Sequence, residues 1–229
     1  VAQDGSVVEA RSYDVPADVC NVDVNALASD GAGGFYVAGQ CLGDPRSFLL
    51  HARGATSTFR LLGDITGLRV NVAEHIGEDA FLAGSIAEGA DALVAFRIRA
   101  DGTVAYAKRY DGCVNAPDAI PSTAIVGPLG EVTLAGSGGA QHNGLVLRLL
   151  PDGSVGFATF PGFGFGAGSV FLLDSLVELP TTGYVGGGSS VRLTGMDPED
   201  VPSAGLVGFD AAGHIVWANR YTFGDTGAY

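Results

Sequence analysis

One short phrase recurs along the chain and constrains its fold more than any other feature of the sequence. It reads ADGTVAYAKRY at 100–110 and AAGHIVWANRY at 211–221, with related copies QDGSVVEARSY at 3–13 and PDGSVGFATFP at 151–161. A unit that returns at a fairly constant period is typical of repeat folds, in which each unit buries its apolar surface against the next. The phrase therefore predicts a repeated architecture.

Three further segments accompany the phrase in every repeat. The most regular of them reads GGFYVAGQ at 33–40, EDAFLAGS at 78–85, GEVTLAGS at 130–137 and TGYVGGGS at 182–189. Aligning its glycines at Gly39, Gly84, Gly136 and Gly187 gives a period of about 50 residues, within the range of propeller repeats. The segments are short and rich in Val, Leu, Phe and Tyr, which favours strands over helices.

The turns ADG, PDG and AAG separate the third and fourth segments of the last three repeats, and they suit hairpins because Asp-Gly tolerates positive φ. Four short strands repeated four times predict an all-β fold, a β-propeller of about four four-stranded antiparallel blades. The recurrent phrase is predicted to be the outermost strand of each blade. The repeats run approximately over 15–64, 65–112, 113–162 and 163–229. Residues 1–14 are predicted to be the outer strand of a preceding blade, so we expect a larger ring, arc or assembly.

Two aromatic columns run through the recurrent phrase. Positions four apart in a strand lie on one face of the sheet, so the two columns are predicted to pack between adjacent blades. The first column contains Tyr106, Phe157 and Trp217, and the second contains Tyr13, Tyr110 and Tyr221.

The order of these motifs resembles that of secreted bacterial seven-bladed-propeller repeats, which occur in tandem in large cell-surface and exported proteins. The phrase at 213–221, the segment at 33–39 and the DALV string at 91–94 match best, whereas RGATSTFRLLG at 53–63 departs from the pattern. The resemblance covers essentially the whole chain, but its motifs concern structure. It implies a propeller outside the cytoplasm, often within a longer protein, with no catalytic residues to transfer.

Composition narrows the class of partner. With 12 basic against 25 acidic residues, the net charge is −13, which argues against nucleic acid because phosphate binding needs clustered Lys and Arg. No stretch approaches the roughly 18 consecutive apolar residues that would predict a membrane span. We expect an extracellular or cell-surface protein whose partners are other copies of itself, other surface proteins or polysaccharide.

Three cysteines are present, Cys20, Cys41 and Cys113. In a propeller blade the connection into strand one and the loop between strands two and three emerge on the same side. This brings Cys20 and Cys41 within reach of each other and predicts a disulfide, which would indicate an oxidising compartment. Two buried thiols are the alternative. Cys113 occupies the position of Cys20 two repeats later, where it is a buried thiol or pairs with another chain or an absent blade.

The loops on that side offer candidate binding residues. An insertion at 189–205 carries Asp197, Glu199 and Asp200, whose oxygens could hold Ca²⁺, although no D-x-D-x-D-G loop is present and a solvated loop is favoured. Phe163 and Phe165 are the best candidates for aromatic contacts with a glycan. Packing between blades explains these two phenylalanines equally well.

Catalytic signatures are missing from the sequence. The four histidines fall singly in different repeats, without HExxH spacing, and there is no G-x-S-x-G elbow. We therefore predict a non-catalytic structural and interaction propeller that could assemble with itself, with no catalytic residues and no cofactor. One alternative is a glycan-binding, lectin-like propeller. Another is a polysaccharide hydrolase or lyase that uses two loop carboxylates.

Overall fold

The computed structural model describes residues 21–42, 46–62, 67–86, 92–110, 119–138, 143–161, 169–180, 183–192 and 203–222. In these ranges the chain forms sixteen strands. No helix in the same ranges is long and apolar enough to span a bilayer. The strands make four antiparallel sheets of four, each built from strands that are consecutive in sequence. This confirms the predicted all-β fold of four four-stranded units.

The bounds of the strands follow the order of the chain. Sheet 1 contains β1 (Asn21–Ser29), β2 (Gly34–Leu42), β3 (Ser47–Arg53) and β4 (Thr56–Leu61). Sheet 2 contains β5 (Leu68–Ile76), β6 (Asp79–Ile86), β7 (Ala92–Ile98) and β8 (Val104–Tyr110). Sheet 3 contains β9 (Ile120–Val126), β10 (Val132–Gly138), β11 (Asn143–Leu149) and β12 (Val155–Thr159). Sheet 4 contains β13 (Ser169–Leu179), β14 (Gly183–Arg192), β15 (Ser203–Phe209) and β16 (Ile215–Thr222).

The Asp-Gly turns close the outer hairpins as their sequences predict. Asp101 Oδ1 accepts hydrogen bonds from the main-chain N–H of Thr103 at 2.8 Å and from its Oγ1 at 2.7 Å. Asp152 makes the same pair of hydrogen bonds with Ser154 at 2.8 and 2.6 Å. The glycine between the two residues has a positive φ, 82° at Gly102, which a residue with a Cβ rarely adopts. Each turn is thus stabilised by its own side chains.

The four sheets fan around a common axis. The first strands of successive sheets, β1, β5, β9 and β13, contact one another in chain order, which makes them the innermost strands. The fourth strands, β4, β8, β12 and β16, lie at the outer edges because each sheet keeps its strands in sequence order. Three of the outer strands, β8, β12 and β16, are copies of the recurrent phrase, as predicted, whereas β4 lies in the divergent segment at 53–63.

The hydrophobic core consists of three layers, each between consecutive sheets. One layer joins sheets 1 and 2, the next joins sheets 2 and 3, and the third joins sheets 3 and 4. Phe81 of sheet 2 and Leu147 of sheet 3 are fully buried in the middle layer. Burial of a side chain of this size contributes about 1.5–3 kcal/mol. Within the ranges given above, no such layer joins sheet 4 to sheet 1.

A glycine in the second strand of each sheet allows the first strand to approach closely. A Cβ at Gly39, Gly84 or Gly136 would collide with the main-chain carbonyl oxygen of the first strand. In sheet 4 this position is Gly188, where a Cβ would meet the carbonyl oxygen of Leu172. The alignment on Gly187 is therefore wrong by one residue, because only Gly188 faces the neighbouring backbone.

Candidate functional site

The outward face of sheet 4 exposes several large apolar side chains. Trp217 is 40% exposed, Tyr221 47% and Val177 58%. The ring of Trp217 lies across Gly208 of the neighbouring strand β15, where a Cβ would collide with the indole. We call this surface the terminal face, and it consists of Val177, Leu179, Leu206, Trp217 and Tyr221.

The same positions are covered in sheet 2. Tyr110 pairs with Leu93 across β8 and β7, just as Tyr221 pairs with Ala204 across β16 and β15, so the two tyrosines are equivalent. Tyr110 is only 6% exposed because sheet 3 packs on it. Its Oη donates a hydrogen bond to the carbonyl oxygen of Gly153 in sheet 3, at 2.7 Å. The terminal face therefore has the chemistry of a contact layer without a sheet packed on it in the described ranges.

The aromatic column next to these tyrosines shows how the equivalent residues of sheets 2 and 3 pack on the following sheet. Tyr106 packs on the hairpin of sheet 3, where a Cβ at Gly153 would lie 2.8 Å from the ring. Burial raises the pKa of the Tyr106 hydroxyl to about 12. Phe157 of sheet 3 packs in the same way on Gly213 of sheet 4. The prediction that this column lies between blades is confirmed for both residues, whereas Trp217, the third member, is exposed.

The hairpin glycine of each following sheet also accepts a hydrogen bond from the sheet before it. Besides the bond from Tyr110, Thr159 Oγ1 donates to the carbonyl oxygen of Gly213 at 2.6 Å. Arg60 donates to that of Gly102. Gly54 holds the hairpin position in sheet 1 with φ of 59°, and no described atom lies within 4 Å of its missing Cβ. A Cβ at Gly54 would therefore meet open space, whereas one at Gly102, Gly153 or Gly213 would collide with a side chain of the preceding sheet.

The inner strand of sheet 1 is exposed on the same side as that hairpin. The outward side chains of β1 are Val22, Val24 and Leu27, of which Leu27 is 67% exposed. By strand register, their equivalents in sheet 2 are Leu68, Val70 and Ala73, all of which are buried against sheet 1. We call Val22, Val24 and Leu27 the leading face. Sheets 1 and 4 therefore expose the two different surfaces that pack against each other between consecutive sheets elsewhere in the fold.

The carboxyl of Asp30, at the centre of a buried cluster, has the most strongly shifted pKa among the described residues. Asp30 accepts hydrogen bonds from Arg53 Nε at 2.7 Å and from the main-chain N–H of Gly34 at 2.6 Å, and it lies 3.0 Å from His51 Nε2. Burial alone would raise the pKa of this carboxyl, but these hydrogen bonds and that of Ala32 hold its pKa well below the usual range. The cluster fixes the turn between β1 and β2, and the carboxylate is fully engaged by donors from its own sheet.

The Asp30 cluster also connects sheets 1 and 2. The ring of His51 stacks on Tyr36 with 4.3 Å between centroids, and Tyr36 Oη donates to the carbonyl oxygen of Glu78 at 3.0 Å. Sheet 3 has a simpler carboxylate–guanidinium pair, Glu131 with Arg148, at 2.8 Å. The recurrence of such pairs at sheet ends indicates a structural role.

Most residues predicted as site residues lie outside the described ranges. Cys41 is buried at the end of β2. Cys20 lies outside these ranges, so the disulfide stays a prediction. The other predicted residues outside the described ranges are Cys113, Phe163, Phe165, Asp197, Glu199 and Asp200.

The exposure of the terminal face was missed at the sequence level. Trp217 and Tyr221 were predicted only as packing residues, and Val177 and Leu206 were not singled out. The available signal was positional, because these residues belong to sheet 4, the last sheet in the described ranges. Among the described residues, no group of three or more His, Cys, Asp and Glu side chains is placed to hold a metal ion.

Comparisons with known proteins identify a similar solved structure but no family. No family model matches the sequence, and no curated protein matches it. The chain is similar to the crystal structure of a protein of unknown function from Bacteroides caccae. The two are 14% identical with a TM-score of 0.34, over 89% of this chain and 84% of that one.

Proposed function

We propose that the protein is a non-catalytic structural and interaction module, extracellular or on the cell surface, that docks a further four-stranded sheet on its terminal face. The observation that carries this proposal is the contrast between Tyr221, which is 47% exposed, and its equivalent Tyr110, which is 6% exposed. Contiguous exposed apolar patches on soluble proteins mark interaction sites. Here the three internal contact layers indicate what kind of surface would cover such a patch.

The partner sheet belongs to a second copy of the chain or to another surface protein of similar architecture. A second copy offers the leading face, in which Val24 and Leu27 are exposed. The terminal face would then pack on sheet 1 of that copy as sheet 2 packs on sheet 3. Head-to-tail contacts of this kind give a closed ring or a filament, according to the rotation between copies.

The proposed contact has a clear energetic basis. Burying one large apolar side chain contributes about 1.5–3 kcal/mol, and aromatic residues are enriched where interfaces are strongest. Part of this gain offsets the entropy that association costs. Replacing Trp217 by lysine would place a charge in the contact layer, so it should weaken docking more than the loss of one ring alone.

Molar mass in solution tests the proposal. We expect the unmodified chain to give a mass above that of one chain that rises with protein concentration, measured by light scattering coupled to size-exclusion chromatography. Trp217→Lys and Tyr221→Lys should each shift this distribution toward a single chain. Leu129→Lys is the matched control, because Leu129 is 82% exposed in the turn between β9 and β10, away from both faces. A single-chain mass at every concentration would contradict self-association.

A further inference from the structure

An open cleft lies where the innermost strands of sheets 1 and 2 meet. Its volume is about 510 Å³, and it opens to solvent near the axis of the fan. We call this cleft the axial cleft, and its lining consists of Asp23, Val24, Asn25, Gln40, Arg69 and Asn71. The axial cleft is far from Trp217, which lies on the outer edge strand of sheet 4.

A β-bulge in each of the two inner strands brings an extra polar residue to the cleft. In β1 the register shifts between Val24 and Ala26, so Asn25 is the unpaired residue. In β5 it shifts between Val70 and Val72, so Asn71 is unpaired. Bulges redirect side chains and are frequent beside binding sites. Two asparagines that no ladder partner constrains thus line one cleft from neighbouring sheets.

One of these asparagines has an unused donor. The Nδ2 atom of Asn71 is buried and has no hydrogen-bond partner in the described part of the chain. A buried donor without an acceptor costs about 1–3 kcal/mol, so such a group in a native protein calls for an explanation. A rotation of the Asn71 side chain toward the axial cleft would let an oxygen atom of a bound ligand supply the acceptor.

The rest of the lining restricts the class of ligand. Asp23 can only accept hydrogen bonds, Arg69 can only donate them, and the amides of Asn25 and Gln40 can do both. Val24 is the single apolar residue of the six that line the cleft, which disfavours an apolar ligand. The carboxylate of Asp23 would repel a phosphate, and one carboxylate is too few for a calcium ion.

We propose that the axial cleft binds a neutral sugar unit. A sugar hydroxyl donates and accepts at once, so adjacent hydroxyls can bond to the Asp23 carboxylate, the Arg69 guanidinium and the Asn71 amide together. This site is separate from the terminal face, but it shares Val24 with the leading face.

Ligand-detected NMR on the full chain tests this assignment. The probes are D-glucose, D-galactose, D-mannose and N-acetyl-D-glucosamine, with inorganic phosphate and diglycine as non-sugar probes. We expect saturation transfer to at least one sugar, with an affinity on the order of millimolar, as is usual for a single small ligand in an open site. No transfer to any of the four sugars, or transfer only to phosphate or diglycine, would overturn the assignment.

Matched variants show whether the cleft is the site. Asn71→Leu should weaken sugar binding about tenfold or more, while thermal unfolding is unchanged or improved because the unused buried donor is removed. Asp23→Asn should also weaken binding. Ser122→Ala is the control, since Ser122 is the bulge residue at the equivalent position of β9 and does not line the cleft. Binding that persists in both cleft variants would refute the proposal.

Discussion

The hydroxyl of Tyr110 in sheet 2 donates a hydrogen bond to the main-chain carbonyl oxygen of Gly153 in sheet 3, with 2.7 Å between the oxygen atoms. The acceptor belongs to the Asp-Gly hairpin that the recurrent phrase encodes in the next repeat. Thr159 makes the corresponding hydrogen bond to Gly213 one sheet further on. The phrase thus has two roles, because its glycine turns the hairpin and its carbonyl receives the preceding sheet.

Removing this hydroxyl should weaken the contact between sheets 2 and 3. Tyr110→Phe leaves the ring in place but leaves a buried carbonyl without its donor, and we expect a loss of about 1 kcal/mol of unfolding free energy. For a chain of this size that is a decrease of about 2–4 °C in Tm. Differential scanning calorimetry measures both quantities.

Tyr221→Phe is the matched control for that experiment, because Tyr221 occupies the same position in sheet 4 and is exposed. It should leave Tm unchanged at protein concentrations where the chain is monomeric. Equal losses in the two variants would mean that the hydrogen bond to Gly153 does not stabilise the contact.

The hairpin glycines offer a second comparison. Gly153→Ala introduces a Cβ at φ of 75° that would lie 2.8 Å from the ring of Tyr106, whereas Gly54→Ala has a similar φ of 59° but open space around it. Both variants carry the cost of a positive φ, about 1 kcal/mol. We expect Gly153→Ala to be the more destabilising by about a further 1–3 kcal/mol, since overpacking displaces the ring. Urea unfolding of the two variants side by side gives the difference, and similar losses would contradict the packing of Tyr106 on this turn.

The fold could be predicted because several local signals recur together along the chain. Glycine-containing turns, short apolar segments and a glycine at close approach all indicate four-stranded sheets. The register of sheet 4 was harder, since Gly186, Gly187 and Gly188 are consecutive and the sequence alone does not choose among them. The choice is made in three dimensions, where Gly188 faces the carbonyl oxygen of Leu172.

The candidate sites were harder to predict because they depend on what lies next to each sheet. The phrase that carries Tyr221 is nearly the same as the one that carries Tyr110, and only the packing of a following sheet makes one buried and the other exposed. The axial cleft depends on bulges at Asn25 and Asn71, which shift the strand register by one residue. The Val-Asn pairs at 24–25 and 70–71 have no local sequence preference that would predict a bulge.

The buried carboxylate of Asp30 predicts how stability depends on pH. Its pKa in the folded chain lies below the ordinary value of 3.8, so the folded state binds fewer protons than the unfolded state in acid. The stability it contributes is therefore complete above the unfolded pKa and is lost as the pH falls below it. Asp30→Asn should lower the unfolding free energy by about 3 kcal/mol at neutral pH, since it leaves Arg53 without its charged partner.

The pH profile separates this effect from a general structural defect. Urea unfolding between about pH 7 and pH 2 should show the gap between the unmodified chain and Asp30→Asn narrowing as the pH falls below about 4. A gap that stays constant over this range would show that the charge of Asp30 does not contribute, whatever the size of the loss at neutral pH.

The predicted disulfide can be tested through the register of the first hairpin. In the antiparallel ladder of β1 and β2, Cys41 pairs with Val22, so Cys20 precedes the partner of Cys41 by two residues in the chain. We expect peptide mapping without reductant to recover a peptide pair linked through Cys20 and Cys41. We also expect Cys20→Ser with Cys41→Ser to lower the unfolding free energy by about 3 kcal/mol, the usual effect of opening a loop of this length.

Cys113 supplies the control for the disulfide. Cys113→Ser should leave the linked peptide in place, and its unfolding in urea should still depend on reductant. Only the double variant, Cys20→Ser with Cys41→Ser, should unfold at the same urea concentration with and without reductant. If Cys20 and Cys41 are instead buried thiols, both will react with an alkylating reagent once the chain is unfolded without reductant. In that case the unmodified chain will unfold at the same urea concentration with and without reductant, because no covalent loop constrains its unfolded state.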